Sequence, residues 1–305
     1  MKTTRRIKKI FRSRPTLEGA GVHLRRAFGF DNTELFDPFL LLDDFRSDNP
    51  EQYIKGFPWH PHRGIETITY MLKGTVEHGD SLGNGGIISA GDVQWMTAGS
   101  GIVHQEMPAG DDKGSMHGFQ LWANLPSFRK MMDPRYRDIK SSDIPVVRHE
   151  NGVEIRVICG RAGDISGPVT DVVIEPEYLD IAVPPDTEYI HEAPREKNVM
   201  VYIFEGSADF CAAEKGFMPD IPGGNYFDYP PEKIQGNRTL IVYDEGDEIR
   251  VKTDANHVRF LYIAGKPLKE PVAWYGPIVM NTREELCTAF QELDEGTFIK
   301  HKLKK

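Results

Sequence analysis

The chain has 305 residues, a formal net charge of −9 and a pI near 5.6. This length suggests two ordinary domains. The acidic balance argues against direct nucleic-acid binding, which needs a basic surface to displace counterions from phosphates. No stretch approaches the ~20 apolar residues of a membrane span. The basic residues 1–15 lack the apolar core of a signal peptide, and we interpret them as an edge segment.

The cysteines indicate a reducing compartment. Cys159, Cys211 and Cys287 are widely scattered and form neither a disulfide framework nor a CxxC metal pattern. We therefore expect the protein in the cytoplasm, or in the nucleus if its source is a eukaryote.

The first part of the chain is a series of short β-type segments separated by turns. They read "VHLRRAFG", "DPFLLLDDF", "ETITYMLKG", "GIISAGDVQWMTAG" and "HGFQLWANLP". From Ser127 to Pro145 the alternation stops, while charge and proline increase, so we place a domain boundary there. The predicted domains are residues 1–134 and residues 146–305.

The second part repeats the strand pattern of the first. "MVYIFEG" resembles "ITYMLKG", "EGDEIRV" resembles "AGDVQWM", and "RFLYIAGKP" resembles "GFQLWANLP". Duplication of one β-domain explains these similarities. Near the C-terminus, Asn281 and Glu284 are spaced as a helix N-cap and its partner, and apolar residues follow at helical spacing. The predicted fold is all-β, with two barrels in tandem and a C-terminal α-helix.

Two pairs of ligand-type residues stand out in the first domain. His60 and His62 are two residues apart, and so are His104 and Glu106. Residues at this spacing share one face of a strand. Either pair alone is more often the polar edge of a strand than a metal site. Together they supply three imidazoles and a carboxylate, and the glycine-rich turn before His104 would bring the second pair opposite the first.

The composition of this set defines a class of metals. Three imidazoles and one carboxylate, without a thiolate, suit Fe(II), Mn, Ni, Cu or Zn. Four protein ligands on an octahedral ion leave two positions open, and open positions indicate catalysis rather than a structural role. The spacing does not choose among these metals.

These segments resemble one known family. "HPHRGIETITYMLKG", "GDVQWMTAGSGIVHQEMP", "EGAGVHLRRAFG" and "EPVAWYGPIVMNTREEL" are similar to pirin, a bicupin family. The resemblance covers nearly the whole chain. It implies two double-stranded β-helix (cupin) domains, with iron as the usual metal and His60, His62, His104 and Glu106 as its ligands. It also implies a supporting role for Glu66, which is a ligand in generic cupins.

The second domain lacks this ligand pattern. Alignment of Gly206 with Gly74 sets Glu192 opposite His60. It also places His191 one position out of register, on the other face of the strand. We therefore predict one metal per chain, in the N-terminal domain.

The resemblance implies two classes of function. The first is a quercetin 2,3-dioxygenase-type enzyme that opens a flavonol-like ring with O2, with Glu106 as the proton acceptor. The alternative is an iron-dependent redox-sensing protein or transcriptional co-regulator, which binds a protein partner without turnover. The glycine-rich "GTVEHGDSLGNGGIISAGD" is typical of a hairpin at a pocket rim, which favours the enzyme. A sugar-phosphate isomerase ranks last, because Arg63 points away from the histidine face by strand parity.

Overall fold

The computed structural model describes residues 2–210 and 234–301, which form mostly β-strands. The strands are β1 (Ile7–Arg12), β2 (Arg14–Glu18), β3 (Val22–Phe28), β4 (Phe39–Ser47), β5 (Phe57–His62), β6 (Ile65–Lys73), β7 (Thr75–Asp80), β8 (Gly85–Ile88), β9 (Val93–Thr97), β10 (Ile102–Ala109), β11 (Met116–Asn124), β12 (Arg135–Ile139), β13 (Val146–Arg148), β14 (Glu154–Cys159), β15 (Arg161–Ala162), β16 (Ile165–Ser166), β17 (Glu177–Val183), β18 (Glu188–Glu192), β19 (Asn198–Asp209), β20 (Ile234–Gly236), β21 (Thr239–Tyr243), β22 (Glu248–Lys252), β23 (Val258–Gly265), β24 (Ala273–Tyr275) and β25 (Ile278–Met280). The helices are α1 (Thr33–Phe36) and α2 (Arg283–Asp294). The predicted all-β class with a C-terminal helix is confirmed.

Within the described residues, no helix is long and apolar enough to cross a membrane. Cys159 is a buried free thiol and Cys287 is an exposed one, whereas Cys211 lies outside the described residues.

The chain divides into two compact units whose boundaries differ from the predicted domains. One unit contains Arg14–Asp143 and Leu268–Lys305, and the other contains Met1–Ser13 and Ile144–Pro267. Each end of the chain thus belongs to the unit built mainly from the opposite half. The reason is that segments distant in the sequence pair with each other. A single boundary at residues 134–146 cannot describe units that each contain two separate segments.

Specific contacts join each terminal segment of the chain to its unit. In the second unit, β1 pairs antiparallel with β21 and forms an edge strand of its sheet. In the first unit, the Arg63 guanidinium donates to Glu292 on α2 at 2.7 Å. The Lys130 ammonium donates to the carbonyls of Gly64 at 2.9 Å and Val279 at 3.1 Å. The C-terminal helix therefore packs in the unit that carries the histidines.

The first unit consists of two packed sheets. A seven-stranded sheet has the order β12-β9-β6-β11-β4-β3-β2, and a four-stranded sheet has the order β5-β10-β7-β8. Side chains of both sheets form a shared apolar cluster, which includes Leu24, Phe45, Met71, Val76 and Ile88. This is the two-layer arrangement expected of a barrel with apolar residues inside and polar residues outside.

The second unit repeats this topology. Its main path is β1-β21-β19-β23-β17-β14-β13, and β18 pairs with β22 as β5 pairs with β10. The predicted equivalences of β6 with β19 and of β11 with β23 agree with these pairings. The equivalence of "EGDEIRV" with "AGDVQWM" is wrong. β22, which contains "EIRV", pairs with β18, whereas the strand that takes the place of β9 is β21.

The predicted orientation of His191 is also wrong. His191 is buried inside the second unit, whereas Glu192 is exposed. The aligned segments differ in length, because residues 63–64 separate β5 from β6 and residues 193–197 separate β18 from β19. An alignment without a gap shifts β18 out of register, and a one-residue shift exchanges the two faces of a strand.

The C-terminal helix begins one residue later than predicted. Thr282, not Asn281, is the N-cap, and its hydroxyl accepts from the Glu285 backbone N–H. The Glu285 carboxylate in turn accepts from the Thr282 backbone N–H, which completes a capping box. The apolar residues at helical spacing are Leu286, Phe290 and Leu293, and they pack in one cluster with Ile278 and Phe298.

Candidate metal centre

Three histidine rings meet at the junction of β5 and β10. His60 and His62 lie two residues apart on β5, and His104 on β10 is the register partner of His60. The ring centroids are 4.9 Å apart for His60 and His62, 4.3 Å for His60 and His104, and 5.0 Å for His62 and His104. One ring nitrogen from each lies within 4.8 Å of the others. The predicted convergence of these three side chains is thus present.

Backbone carbonyls fix the tautomers of two of these rings. Nδ1 of His60 lies 2.9 Å from the Pro58 carbonyl oxygen, and Nδ1 of His62 lies 3.1 Å from the Pro277 carbonyl oxygen. A carbonyl oxygen only accepts, so each Nδ1 must carry the proton. The Nε2 atom of each neutral ring then presents a lone pair, and the two Nε2 atoms are 3.1 Å apart. Two lone pairs at this distance repel unless a cation lies between them.

A proton does not serve as this cation, because burial keeps the three histidines neutral. Loss of solvation lowers the pKa of His60 and lowers those of His62 and His104 well below the ordinary value, with the neighbouring histidines adding to the effect for the latter two. Nε2 of His104 is buried without a hydrogen-bond partner. Three neutral imidazoles with free lone pairs therefore fit a metal ion, because imidazole binds metals in this form. The three-histidine group can bind a metal, and the donors suit the borderline divalent ions.

Glu106 lies near this group but is not a member of it. The carboxylate is buried, and the group of ligand atoms within 4.8 Å contains the histidines alone. The Thr69 hydroxyl lies 3.2 Å from Glu106 Oε1. Burial raises the pKa of Glu106 to about 7, against the lowering effect of the Thr69 hydrogen bond. Its role as a fourth ligand stays a prediction.

A row of polar side chains crosses the large sheet at the level of Glu106. The Thr69 hydroxyl on β6 also lies 2.6 Å from Oε1 of Gln120 on β11. Gln120 is the register partner of Asp43 on β4, and Asp43 is the register partner of Arg26 on β3. Arg26 makes two parallel hydrogen bonds to Asp43, at 2.8 and 2.7 Å. These polar groups provide donors and acceptors along one wall.

The histidines open onto a cavity of about 400 Å3. His60, His62 and Glu106 lie at one part of its lining, and Gln120, Asp43 and Arg26 lie at another. The remaining walls are mostly apolar and include Leu24, Leu41, Phe45, Phe57, Val76 and Trp122. A mostly apolar cleft with a few convergent polar groups is typical of a small-molecule site.

Phe30 and Trp122 are aromatic residues of the cavity lining, and Trp274 packs against both. The Trp122 ring lies edge-to-face against His62, with centroids 5.0 Å apart. Trp274 lies 5.9 Å from Trp122, and Phe30 is stacked on Trp274 at 4.0 Å. Offset and edge-to-face contacts of this kind favour flat aromatic ligands.

Glu66 does not support the histidines as predicted. Its Oε1 accepts from the Thr97 hydroxyl at 2.7 Å, and no described hydrogen bond joins it to a histidine of the group. Glu66 and Thr69 differ by an odd number of positions on β6, so their side chains lie on opposite faces. Burial raises the pKa of this carboxyl. The backbone carbonyls of Pro58 and Pro277 orient the rings in its place.

Two other histidines stay outside the lining of this cavity. His78 contacts Tyr136, and the His117 ring lies 3.4 Å from Asp44. Arg63 points away from the metal group, as strand parity predicts, and contacts the C-terminal segment.

Sequence reasoning missed several residues of the site. Thr69 carries a detectable signal, because it is a polar residue at an inward position of an apolar strand. The Pro277 carbonyl has none, since any residue offers a backbone carbonyl and Pro277 lies 215 positions from His62.

The fold and the site define a protein with two cupin barrels and a three-histidine metal group in the first. A sequence profile described as Pirin matches residues 21–123, and one described as Pirin C-terminal cupin domain matches residues 178–299. The chain belongs to the pirin family. The predicted pair of cupin barrels is confirmed.

Individual relatives extend this result over nearly the whole chain. The chain is 42% identical to a "Putative quercetin 2,3-dioxygenase" of Pseudomonas aeruginosa, over 92% of this chain and 94% of the relative. It is 40% identical to a "Pirin-like protein" of Caulobacter vibrioides, over 96% and 99%. The crystal structure of a quercetin 2,3-dioxygenase from Acinetobacter baumannii superposes with a TM-score of 0.83 at 30% identity, over 97% and 98% of the two chains.

Proposed function

We propose that this protein is a metal-dependent dioxygenase of the quercetin 2,3-dioxygenase type, with iron held by His60, His62 and His104. The observation that carries this proposal is a neutral three-histidine group of which two members, His60 and His62, line a mostly apolar cavity of about 400 Å3. Structural metal sites are closed by protein ligands, whereas catalytic sites keep a position open to substrate. The names of the similar proteins from Pseudomonas and Acinetobacter support the same reaction class.

The cavity suits a flat aromatic molecule with several hydroxyl groups. Trp122 and Phe57 provide apolar walls beside the histidines. Gln120 and the Arg26–Asp43 pair provide donors and acceptors on the sheet wall. A flavonol combines a planar apolar body with hydroxyls at its rim, so it matches both parts of the lining.

The residues of the site have separate tasks. A bound iron would act as a Lewis acid toward the substrate hydroxyl and supply the redox chemistry with O2. The Pro58 and Pro277 carbonyls hold two ligand rings in the tautomer that leaves Nε2 free. Glu106, held by Thr69, accepts the hydroxyl proton, and we propose it as the fourth ligand.

The alternative is a redox-sensing protein that binds a partner without turnover. Such a protein needs a docking surface but no enclosed substrate cavity. The cavity beside the histidines therefore favours the enzyme. Recovery of one protein partner by the ferric but not the ferrous protein, without flavonol consumption, would support the alternative.

Oxygen uptake by the iron-loaded protein with quercetin tests the proposal. We expect O2 consumption to parallel the loss of flavonol absorbance in the wild type. The His62→Ala variant should show neither. The control His257→Ala removes an exposed histidine of the second unit and should behave as the wild type. No uptake by protein with stoichiometric iron would refute the quercetinase activity.

A further inference from the structure

The second unit contains a cavity of its own, of about 590 Å3. Tyr189 and His191 of β18 lie in its lining, beside the apolar side chains of Val147 and Ile155. Arg161 on the short β15–β16 hairpin lies at the same cavity. No part of the proposed reaction uses these residues.

The position of His191 matches that of a metal ligand in the first unit. β18 pairs with β22 as β5 pairs with β10, and His191 is opposite Ile249 as His62 is opposite Ile102. The inward pair of Tyr189 and Val251 then stands where His60 and His104 stand in the first unit, so one imidazole remains of three. In the described part of the chain, the group of metal-ligand type contains no residue of this cavity. One imidazole alone does not hold a metal ion, so recognition in this cavity would use hydrogen bonds.

One hydrogen bond connects His191 with Tyr189. The Tyr189 hydroxyl lies 2.8 Å from Nδ1 of His191 and has no other partner among the described residues. Burial lowers the pKa of His191 to about 4 and raises the pKa of Tyr189 well above its ordinary value, so both groups are neutral near pH 7. The neutral pair has two protons and one hydrogen bond between its members, so one donor is left over. When the phenol donates to Nδ1, that donor is the Nε2–H of His191, and an acceptor in the cavity favours this arrangement.

In that arrangement the Nε2–H donor has no acceptor in the described part of the chain. Only 7% of His191 is exposed, and its sole described hydrogen bond is the one to Tyr189. The Tyr262 ring packs edge-to-face on the imidazole at 4.4 Å and holds its plane. A ligand that supplies an acceptor can therefore hydrogen-bond to this donor in place of water.

The charges around the cavity favour an anion as that ligand. Glu177 is paired with Lys197 at 3.0 Å, Asp247 with Arg195 at 2.7 Å, and Glu192 with Lys2. Each lining carboxylate thus has a cationic partner. Arg161 has no ion-pair partner in the described part of the chain and leaves a positive charge at the rim.

We propose that the second barrel binds a small organic carboxylate without a metal, through the Nε2–H of His191 and the positive charge of Arg161. The apolar body of the ligand lies against Val147 and Ile155. This site is independent of the reaction proposed for the first barrel.

Calorimetric titration of the full-length protein with benzoate tests this site. The His62→Ala variant, stripped with chelator, serves as the parent, so that a metal in the first barrel cannot bind the probe. We expect benzoate to bind the parent, and benzamide, which lacks the charge, to bind more weakly. Addition of His191→Phe keeps the ring and removes the donor, and should weaken benzoate about tenfold or more.

A variant at the exposed rim avoids any effect on folding. Arg161→Gln should weaken benzoate and leave benzamide unchanged. Arg148→Gln, at an exposed arginine paired with Glu154 and outside the lining, is the matched control and should bind as the parent. In protein with 15N-labelled histidine, benzoate should shift the Nε2–H resonance of His191. Absent benzoate binding, equal affinity in the His191 and Arg161 variants, or an unshifted resonance would overturn the proposal.

Discussion

The Nε2 atoms of His60 and His62 face each other at 3.1 Å, and neither has a proton to give the other. Each ring donates its Nδ1 proton to a backbone carbonyl, at Pro58 or at Pro277. Burial disfavours a second proton on either ring. The backbone carbonyls therefore orient both rings with their Nε2 lone pairs toward one point. The repulsion between these lone pairs would be relieved by a bound metal ion.

Replacement of one proposed ligand should abolish stoichiometric metal binding. We expect His104→Ala to weaken iron binding by about 100-fold or more, since loss of a direct ligand exceeds the effect of losing an outer partner. Metal analysis after gel filtration measures this. His257→Ala should retain wild-type metal content. Equal metal in His104→Ala and wild type would show that the ion binds elsewhere.

The hydroxyl of Thr69 should matter for turnover but not for metal content. Thr69→Val keeps the shape of the side chain and removes the hydroxyl contacts to Glu106 and Gln120. We expect kcat to fall about tenfold with little change in KM, because the lost contact positions a proton acceptor. Thr67→Val is the matched control, since that hydroxyl lies on the same strand face and has no described partner. Equal losses in both variants would contradict a specific role.

Asp44 should make stability depend on pH in acid. Burial acts to raise its pKa, but hydrogen bonds from His117 and Arg46 outweigh it and lower the pKa to about 2. The folded-state pKa is thus below the unfolded value. Ionised Asp44 contributes about 2 kcal/mol of stability above pH ~4, which is lost as the pH falls through ~2.

Urea denaturation of metal-free protein measures this contribution. The free energy of unfolding of the wild type should fall between pH 5 and pH 2 more steeply than that of Asp44→Asn. Asp112→Asn, at an exposed position, should follow the wild-type curve. Parallel curves for wild type and Asp44→Asn would contradict this assignment.

Gly64 should tolerate no side chain. It has φ +78°, and an added Cβ would lie 1.9 Å from the Val279 carbonyl oxygen. We expect Gly64→Ala to destabilise the protein by more than about 3 kcal/mol in thermal unfolding, through a clash with backbone. Gly296→Ala has a similar φ of +71° and open space, so it should cost only about 1 kcal/mol. Similar losses of stability in the two variants would show that the positive φ, and not the clash with Val279, determines the cost.

The sequence was sufficient to predict the histidine group because strand geometry is local. Residues two apart share a face, so the pairing of His60 with His62 follows from spacing. The position of His104 follows from a glycine-rich turn that reverses the chain. The barrels and the C-terminal helix follow from equally local patterns.

Other features depend on contacts that no local pattern contains. The Pro277 carbonyl reaches His62 from a distant segment, and β1 joins the opposite unit by pairing with β21. The inward position of His191 depends on the length of the segment before β19. A single sequence does not show where a gap belongs in the alignment of the two halves. The side chains that point into the second barrel could therefore be identified only from the structure.

The most direct test of the proposed reaction follows both atoms of O2. Iron-loaded protein is given quercetin under 18O2, and the ring-opened product and carbon monoxide are quantified by mass spectrometry. The dioxygenase proposal predicts one carbon monoxide per flavonol lost and two 18O atoms in the ring-opened product. Product with one or no 18O atom, or flavonol loss with hydrogen peroxide in place of carbon monoxide, would contradict it.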